Sequence, residues 1–156
     1  MSAKVLPEHV LALSAGLSHL GLDADPECAG TAARWFGVLE AYRPGQPLPP
    51  FETFAGPAGD EVRLSQLPFH SLCAHHLLPF FGQAEIVYGS VGRIAGLGAI
   101  ARALRHFARQ PQLQERLGAQ LADHLHAQLQ GPVRVRLRAR QLCMEMRGVE
   151  STGEIE

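Results

Sequence analysis

Val133–Met146, VRVRLRARQLCMEM, alternates with a period of two, the pattern of a β-strand whose successive side chains point to opposite faces. One face reads Val133, Val135, Leu137, Ala139, Gln141, Cys143, Glu145 and Arg147; the other reads Arg134, Arg136, Arg138, Arg140, Leu142, Met144 and Met146. Unpaired arginines cannot lie in an apolar core. Their face therefore meets solvent, a partner subunit or the lumen of an assembly, and the Val/Leu face meets the core. The spacing predicts a strand from Val133 to about Met146.

Working outward from that strand, helices are expected at about Leu97–Arg109 and Leu113–Gln130, parted by the breaker Pro111. Strands are expected over 61–72 and Phe80–Tyr88. The stretch RPGQPLPPFETFAGPAGD (43–60) is dense in Pro and Gly and reads as a surface loop. Upstream, Val10, Leu11, Leu13, Leu17 and Leu20 have helical spacing over 8–22, with Gly21 as a stop. A second helix is expected from about Thr31 to Tyr42, capped by Thr31, with Trp35, Val38, Leu39 and Tyr42 as its apolar stripe. The order helix–helix, strand–strand, helix–helix, strand predicts an α+β domain with helices on one face of an antiparallel sheet. One domain is expected over 1–156, with N-terminal helices over 1–45 and the core over 61–150.

Bulk composition narrows the function classes. With 46% hydrophobic and 19% charged residues and a net charge of −1, the chain can bury a core and gives no general reason to expect nucleic acid as a partner. Its charge is uneven: residues 1–90 hold four Lys/Arg against nine Asp/Glu, and residues 91–156 hold ten against six. A polyanionic ligand would therefore meet the C-terminal half. Lys4 is the sole lysine; arginines suit bidentate contact with phosphate, although a high-GC genome produces the same bias. No apolar run approaches the roughly 18–20 residues that span a bilayer, and MSAKVLPEHV has no hydrophobic signal core. Three widely spaced cysteines do not make a disulfide framework, so the expected setting is reduced and cytoplasmic.

Cys73-Ala74-His75-His76 offers a thiolate and an imidazole three residues apart, a common zinc half-site. A buried Cys beside an ordinary His is the plain alternative. Adjacent histidines do not both point at one ion, so one can ligate while the other donates or accepts a proton. Cys143 is the best candidate for a third ligand, because Gln141, Glu145 and Arg147 on the same expected strand face are all polar or charged. A small cysteine buried at a strand end would look the same. Three protein ligands with a position left for water is the arrangement of catalytic zinc.

The segment SLCAHHLLPFFG (Ser71–Gly82) resembles the zinc-site signature of the GTP cyclohydrolase I family. The similarity continues through GLGAIARAL (Gly96–Leu104), QLQERL (Gln112–Leu117) and LCMEMRGV (Leu142–Val149), in family order. The resemblance implies a T-fold, an antiparallel sheet with two antiparallel helices on one face, assembled into a homo-oligomer with active sites at subunit interfaces. It implies hydrolysis of GTP at C8 of the purine, release of formate and reclosure to 7,8-dihydroneopterin triphosphate. By the same resemblance Cys73, His76 and Cys143 match zinc ligands, and His75 matches the histidine that handles protons. Glu115 matches the carboxylate that holds the guanine edge, with Gln114 beside it, and Arg102 and Arg147 match cations that hold the triphosphate. Six other histidines (His9, His19, His70, His106, His124, His126) match nothing and are expected to be structural or exposed.

Departures from the family pattern fall on the chemistry. Gln141 stands where the family has a histidine of the proton-transfer machinery, and an amide cannot exchange a proton near neutral pH. Ala74 replaces a usual glutamate, and Gly98-Ala99 replaces a Ser-Lys pair of the phosphate region. After MRGV the family continues with a Thr/Ser-rich strand, whereas this sequence stops at Glu156. Three readings follow: a slow GTP cyclohydrolase I; a paralogue acting on a less phosphorylated purine-like substrate or stopping at the ring-opened formamidopyrimidine; and a non-catalytic zinc-stabilised subunit. Retention of His75 beside a full ligand set argues against the last.

Overall fold

The computed structural model describes residues 7–156. Lys4 and the first residues of the stretch read for a signal core lie outside the described residues. The described residues form two compact units, one ending at Ala41 and the other beginning at Tyr42. No helix among them is long and apolar enough to cross a membrane.

In the first unit, α1 (Glu8–His19) and α2 (Thr31–Ala41) pack together, with short 3-10 turns at Leu22–Ala24 and Pro26–Cys28 between them. Gly21 ends the α1 region in a left-handed conformation, φ 75°, which glycine adopts without steric cost. His9 stacks on Phe36 with ring centroids 4.1 Å apart. Thr31 lies inside α2 and does not cap it. The Arg34 N–H donates to the Gly30 carbonyl at 3.1 Å, and the Thr31 hydroxyl accepts from the Arg34 guanidinium at 3.0 Å.

The second unit is the α+β T-fold. Its sheet has the order β3-β1-β2-β4-β5, built from β1 (Thr53–Cys73), β2 (Pro79–Ala95), β3 (Pro111–Gln112), β4 (Val133–Gln141) and β5 (Glu154–Ile155). Helices α3 (Leu97–Ala108) and α4 (Gln114–Leu129) pack against it. Leu117, Leu121, Leu125 and Leu129 recur every fourth residue along α4 and are fully buried with Ile86, Phe80, Ile100 and Leu104. A row at that spacing lies on one helix face, so burying it fixes α4 on the sheet. Tyr88 is buried too, and its hydroxyl accepts the Ala95 N–H at 3.0 Å.

β4 places Leu137 and Ala139 in the core and leaves Arg134, Arg136, Arg138 and Arg140 exposed, as the alternation requires. Arg136 and Arg138 reach Glu156 at 2.8 and 2.9 Å. Gly82 sits opposite Ala139 on β4, and a Cβ there would fall 1.8 Å from the Arg138 carbonyl oxygen. Only glycine permits that approach of two backbones.

Two expected boundaries are corrected. β4 stops at Gln141, and Leu142–Glu145 forms a short helix, α5, closed by a Met146 N–H to Leu142 carbonyl bond of 2.9 Å. Leu, Met and Glu are good helix formers, and Leu142 and Met146 satisfy an i, i+4 spacing as well as alternation. The expected loop over 43–60 is also shorter, because β1 begins at Thr53. Gly56, Pro57 and Gly59 belong to a stretch of β1 with register shifts between Ala55 and Ala58 and between Ala58 and Glu61, where β-bulges accommodate both residue types.

Candidate metal and active site

Antiparallel pairing gathers the functional segments at one end of the sheet. Leu72 near the end of β1 stands opposite Pro79 at the start of β2, and Phe80 stands opposite Gln141 at the end of β4. β3 lies parallel to the same end of β1, pairing Leu72 with Pro111 and Cys73 with Gln112, and α4 starts directly after it.

The β1–β2 turn is tightly held. The Cys73 N–H donates to the Leu78 carbonyl, the Leu77 N–H donates to the Cys73 carbonyl, both at 2.8 Å, and Leu77 takes φ 53°. This curl brings His76 Nδ1 to 3.9 Å from Cys73 Sγ. Cys143, on α5, completes a set in which the Cys73, His76 and Cys143 donor atoms all lie within 4.8 Å of one another. Cys143 thus reaches the site from a helical turn, and the strand-face argument that singled it out does not describe its placement.

Two thiols and an imidazole are the donors of tetrahedral zinc. Bond lengths of about 2.3 Å to sulfur and about 2.0 Å to nitrogen place such donors roughly 3.6–3.8 Å apart, close to the spacing found here. Burial, then the neighbouring Cys73, pushes the Cys143 thiol above its ordinary range, while Arg147 opposes the rise. Two thiolates crowd each other unless a cation lies between them. By donor chemistry and spacing the residues fit a zinc ion.

The other site residues divide. His75 is exposed on the same turn, its ring centroid 6.1 Å from that of His76. Glu115 is exposed in the first turn of α4, where the helix dipole favours a carboxylate. Gln114 is buried, and its Nε2 donates to the Leu137 carbonyl at 3.1 Å and the Ile155 carbonyl at 2.8 Å. Its Oε1 accepts from Gln141 Nε2 at 2.9 Å. Arg147 is exposed just beyond α5. Glu145 pairs with Arg140, which lowers the Glu145 carboxyl below its ordinary range. Arg102 does not join the cluster; it pairs with Glu52, which precedes β1 at the opposite end of the β1–β2 ladder. Ala99 is only 1% exposed, on the buried face of α3.

One contributor was missed from sequence. The buried Gln112 accepts the Ala74 N–H on its backbone carbonyl at 2.9 Å, and its side chain donates to the Phe107 carbonyl and to Gln120 at 2.9 and 2.8 Å. Its Oε1 accepts from Arg116 at 2.6 Å. The signal available was Pro111, which marks an extended break before α4.

Matches to known proteins run through all of these segments. Residues 13–155 match the family described as GTP cyclohydrolase I. The GTP cyclohydrolase 1 of Aquifex aeolicus is 45% identical over 142 residues, covering 86% of this chain and 76% of that protein. That of Corynebacterium glutamicum is 42% identical over 154 residues, covering 87% and 74%. That of Sulfurihydrogenibium sp. is 37% identical over 142 residues, covering 86% and 75%. A match of that extent takes in the Cys73 turn, the start of α4 and the Cys143 turn together, and the chain belongs to the GTP cyclohydrolase I family of cyclohydrolases.

Proposed function

We propose that this cyclohydrolase opens the imidazole ring of a purine nucleotide at C8, with GTP as substrate, formate as the released fragment and 7,8-dihydroneopterin triphosphate as the reclosed product. The convergence of Cys73, His76 and Cys143 at the end of the sheet that also carries His75 and the first turn of α4 supports this reading most directly.

Cys73, His76 and Cys143 would hold zinc, which when bound acidifies a water near neutral pH. His75, exposed and outside the ligand set, takes a proton from the attacking water and returns it to the ring nitrogen that leaves C8. Glu115 accepts the N–H groups of the guanine edge, for which an ionised carboxylate in a helix first turn is suited. Arg147 holds phosphate near the metal end. Arg102, at the opposite end of the ladder, adds a phosphate contact only where a neighbouring subunit brings it to this site and Glu52 releases it. Gln141 supplies no proton, so turnover is slower than with a histidine there by about 10²–10⁴, or halts at the formamidopyrimidine.

A homo-oligomer with sites at subunit interfaces is part of the same proposal. Among the described residues, β3 covers only Leu72 and Cys73 on the outer edge of β1, and β5 covers only Ala139 and Arg140 on that of β4. Uncovered edges of such length invite pairing with another chain.

A less phosphorylated purine as substrate is favoured by one specific pair of observations. Ala99 gives no cation at a buried position, and Arg102 is already neutralised by Glu52. Incubation with GTP, following formate and pterin fluorescence, tests the main reading. Formate with fluorescence is expected. Neither formate nor a mass gain of one water on the nucleotide would overturn it. A binding series through GTP, GDP, GMP and guanosine separates the two substrates by where affinity is lost.

A further inference from the structure

Gln114 and Gln141 each stand at the start of a helix. Gln114 is the first residue of α4, and Gln141 is the residue from which α5 starts. Neither helix has a side-chain cap: Leu113 and Gln141 make no capping bond to the N–H groups that follow them. Uncapped helix starts leave backbone donors unsatisfied and the first turn loosely oriented. Here the two starts are tied to each other, because Gln141 Nε2 donates to Gln114 Oε1 at 2.9 Å.

The tie is anchored at its far end. Gln114 uses its amide on the carbonyls of Leu137 in β4 and Ile155 in β5, and only 7% of the residue is exposed. Both of its amide hydrogens and one oxygen lone pair are committed within the protein, so its side chain turns away from any ligand. Buried amide networks that are fully satisfied hold a single arrangement. The residue after Gln114 is Glu115, and two residues after Gln141 comes Cys143.

We propose that Gln141 is a positioning residue that acts through Gln114, locking the turn that carries Cys143 to the turn that carries Glu115. This rests on the purine-nucleotide reading above and deepens it. At position 141 the amide carries no proton; through its bond to Gln114 it fixes the distance between the metal-holding half of the site and the carboxylate half. The loss expected on breaking the tie falls on substrate binding, since Glu115 and the metal-holding turn are no longer held at one spacing across the purine site. Chemistry on nucleotide that does bind is largely spared.

The test is a double-mutant cycle on the full-length protein with Gln141→Met, Gln114→Met and the pair. Gln141→Met keeps the length of the side chain and removes its donor. It is expected to keep the wild-type zinc content, raise the Kd and KM for GTP by about tenfold, as for loss of one hydrogen bond, and change kcat by less than about twofold. In the Gln114→Met background the same substitution should change Kd by less than about twofold. Should Gln114→Met fail to fold, Gln141→Asn serves instead. It retains the amide but falls one methylene short of Gln114, and should reproduce the weakened binding with an unchanged circular dichroism spectrum. Wild-type affinity in Gln141→Met or Gln141→Asn overturns the proposal, as does a fall in kcat at unchanged KM, or a penalty that persists without Gln114. A wild-type protein that binds GTP while Gln141→Met binds it equally well sinks the tie alone. A wild-type protein that binds no purine nucleotide sinks the function with it.

Discussion

The backbone N–H of Ala74 donates to the carbonyl of Gln112 at 2.9 Å, so the link between α3 and α4 holds the turn on which Cys73, His75 and His76 sit. The backbone beside Cys73 is thereby held by hydrogen bonds within the protein, and the donor atoms clustered with its thiol come from the same turn and from α5.

Purified protein should carry about one zinc per chain, a stoichiometry set by three protein donors with room for water. Cys143→Ala should lose it, since the two remaining donors make a poor site. Elemental analysis reads both, and zinc retained at full occupancy in Cys143→Ala would rule out this ligand set.

Glu115→Gln should raise the KM for GTP by roughly 10- to 100-fold, the scale of a hydrogen bond to a charged group. Zinc content should not change, because Glu115 is exposed on α4 and outside the ligand set. Steady-state kinetics across GTP concentrations decides it; an unchanged KM would release Glu115 from the purine.

Gly82→Ala should destabilise the protein by about 1–3 kcal/mol or more, as other forced contacts do. Its Cβ would meet the backbone of Arg138 at 1.8 Å, and a strand ladder cannot yield as a flexible side chain does. Urea denaturation checks this through the midpoint, with the slope unchanged.

His124 predicts a loss of stability in mild acid. Its ring lies between Phe51 and Phe107, at 5.5 Å from each, with Nε2 buried and unpartnered. Burial, then repulsion from His106, lowers its pKa from the ordinary histidine value. The unfolded chain therefore binds the proton more readily than the folded one. Stability is complete above the unfolded pKa of about 6.5 and declines as pH falls through it toward the lower folded value. Thermal melts at pH 7.5 and 5.5 should show a smaller drop for His124→Phe than for the parent.

Much of this was legible in residue order. The Val/Arg alternation of β4 and the four-residue leucine row of α4 state their faces openly, because each follows a single period over its full length. Residues 141–146 fit both periods, so alternation alone extends the strand past Gln141, and the placement of Cys143 beside Cys73 and His76 comes from a helical turn instead. Gly56, Pro57 and Gly59 look like a loop because bulges and loops draw on the same residues. Gln112 was invisible as a contributor, since it steadies the Cys73 turn through its carbonyl, a group every residue has. Gln114 was read by its neighbour Glu115; that its amide is turned inward depends on carbonyls of β4 and β5, which no local pattern announces.

The arginines of β4 carry a last consequence. Over Val133–Arg138 its outer backbone is uncovered among the described residues, yet every second side chain there is a cation. A second copy of the same strand laid alongside would set arginine against arginine, which disfavours pairing. Self-stacking is thus discouraged, while an edge of other composition is admitted. The residues excluded from the interior of one molecule act as a gatekeeper for which backbone can extend its sheet.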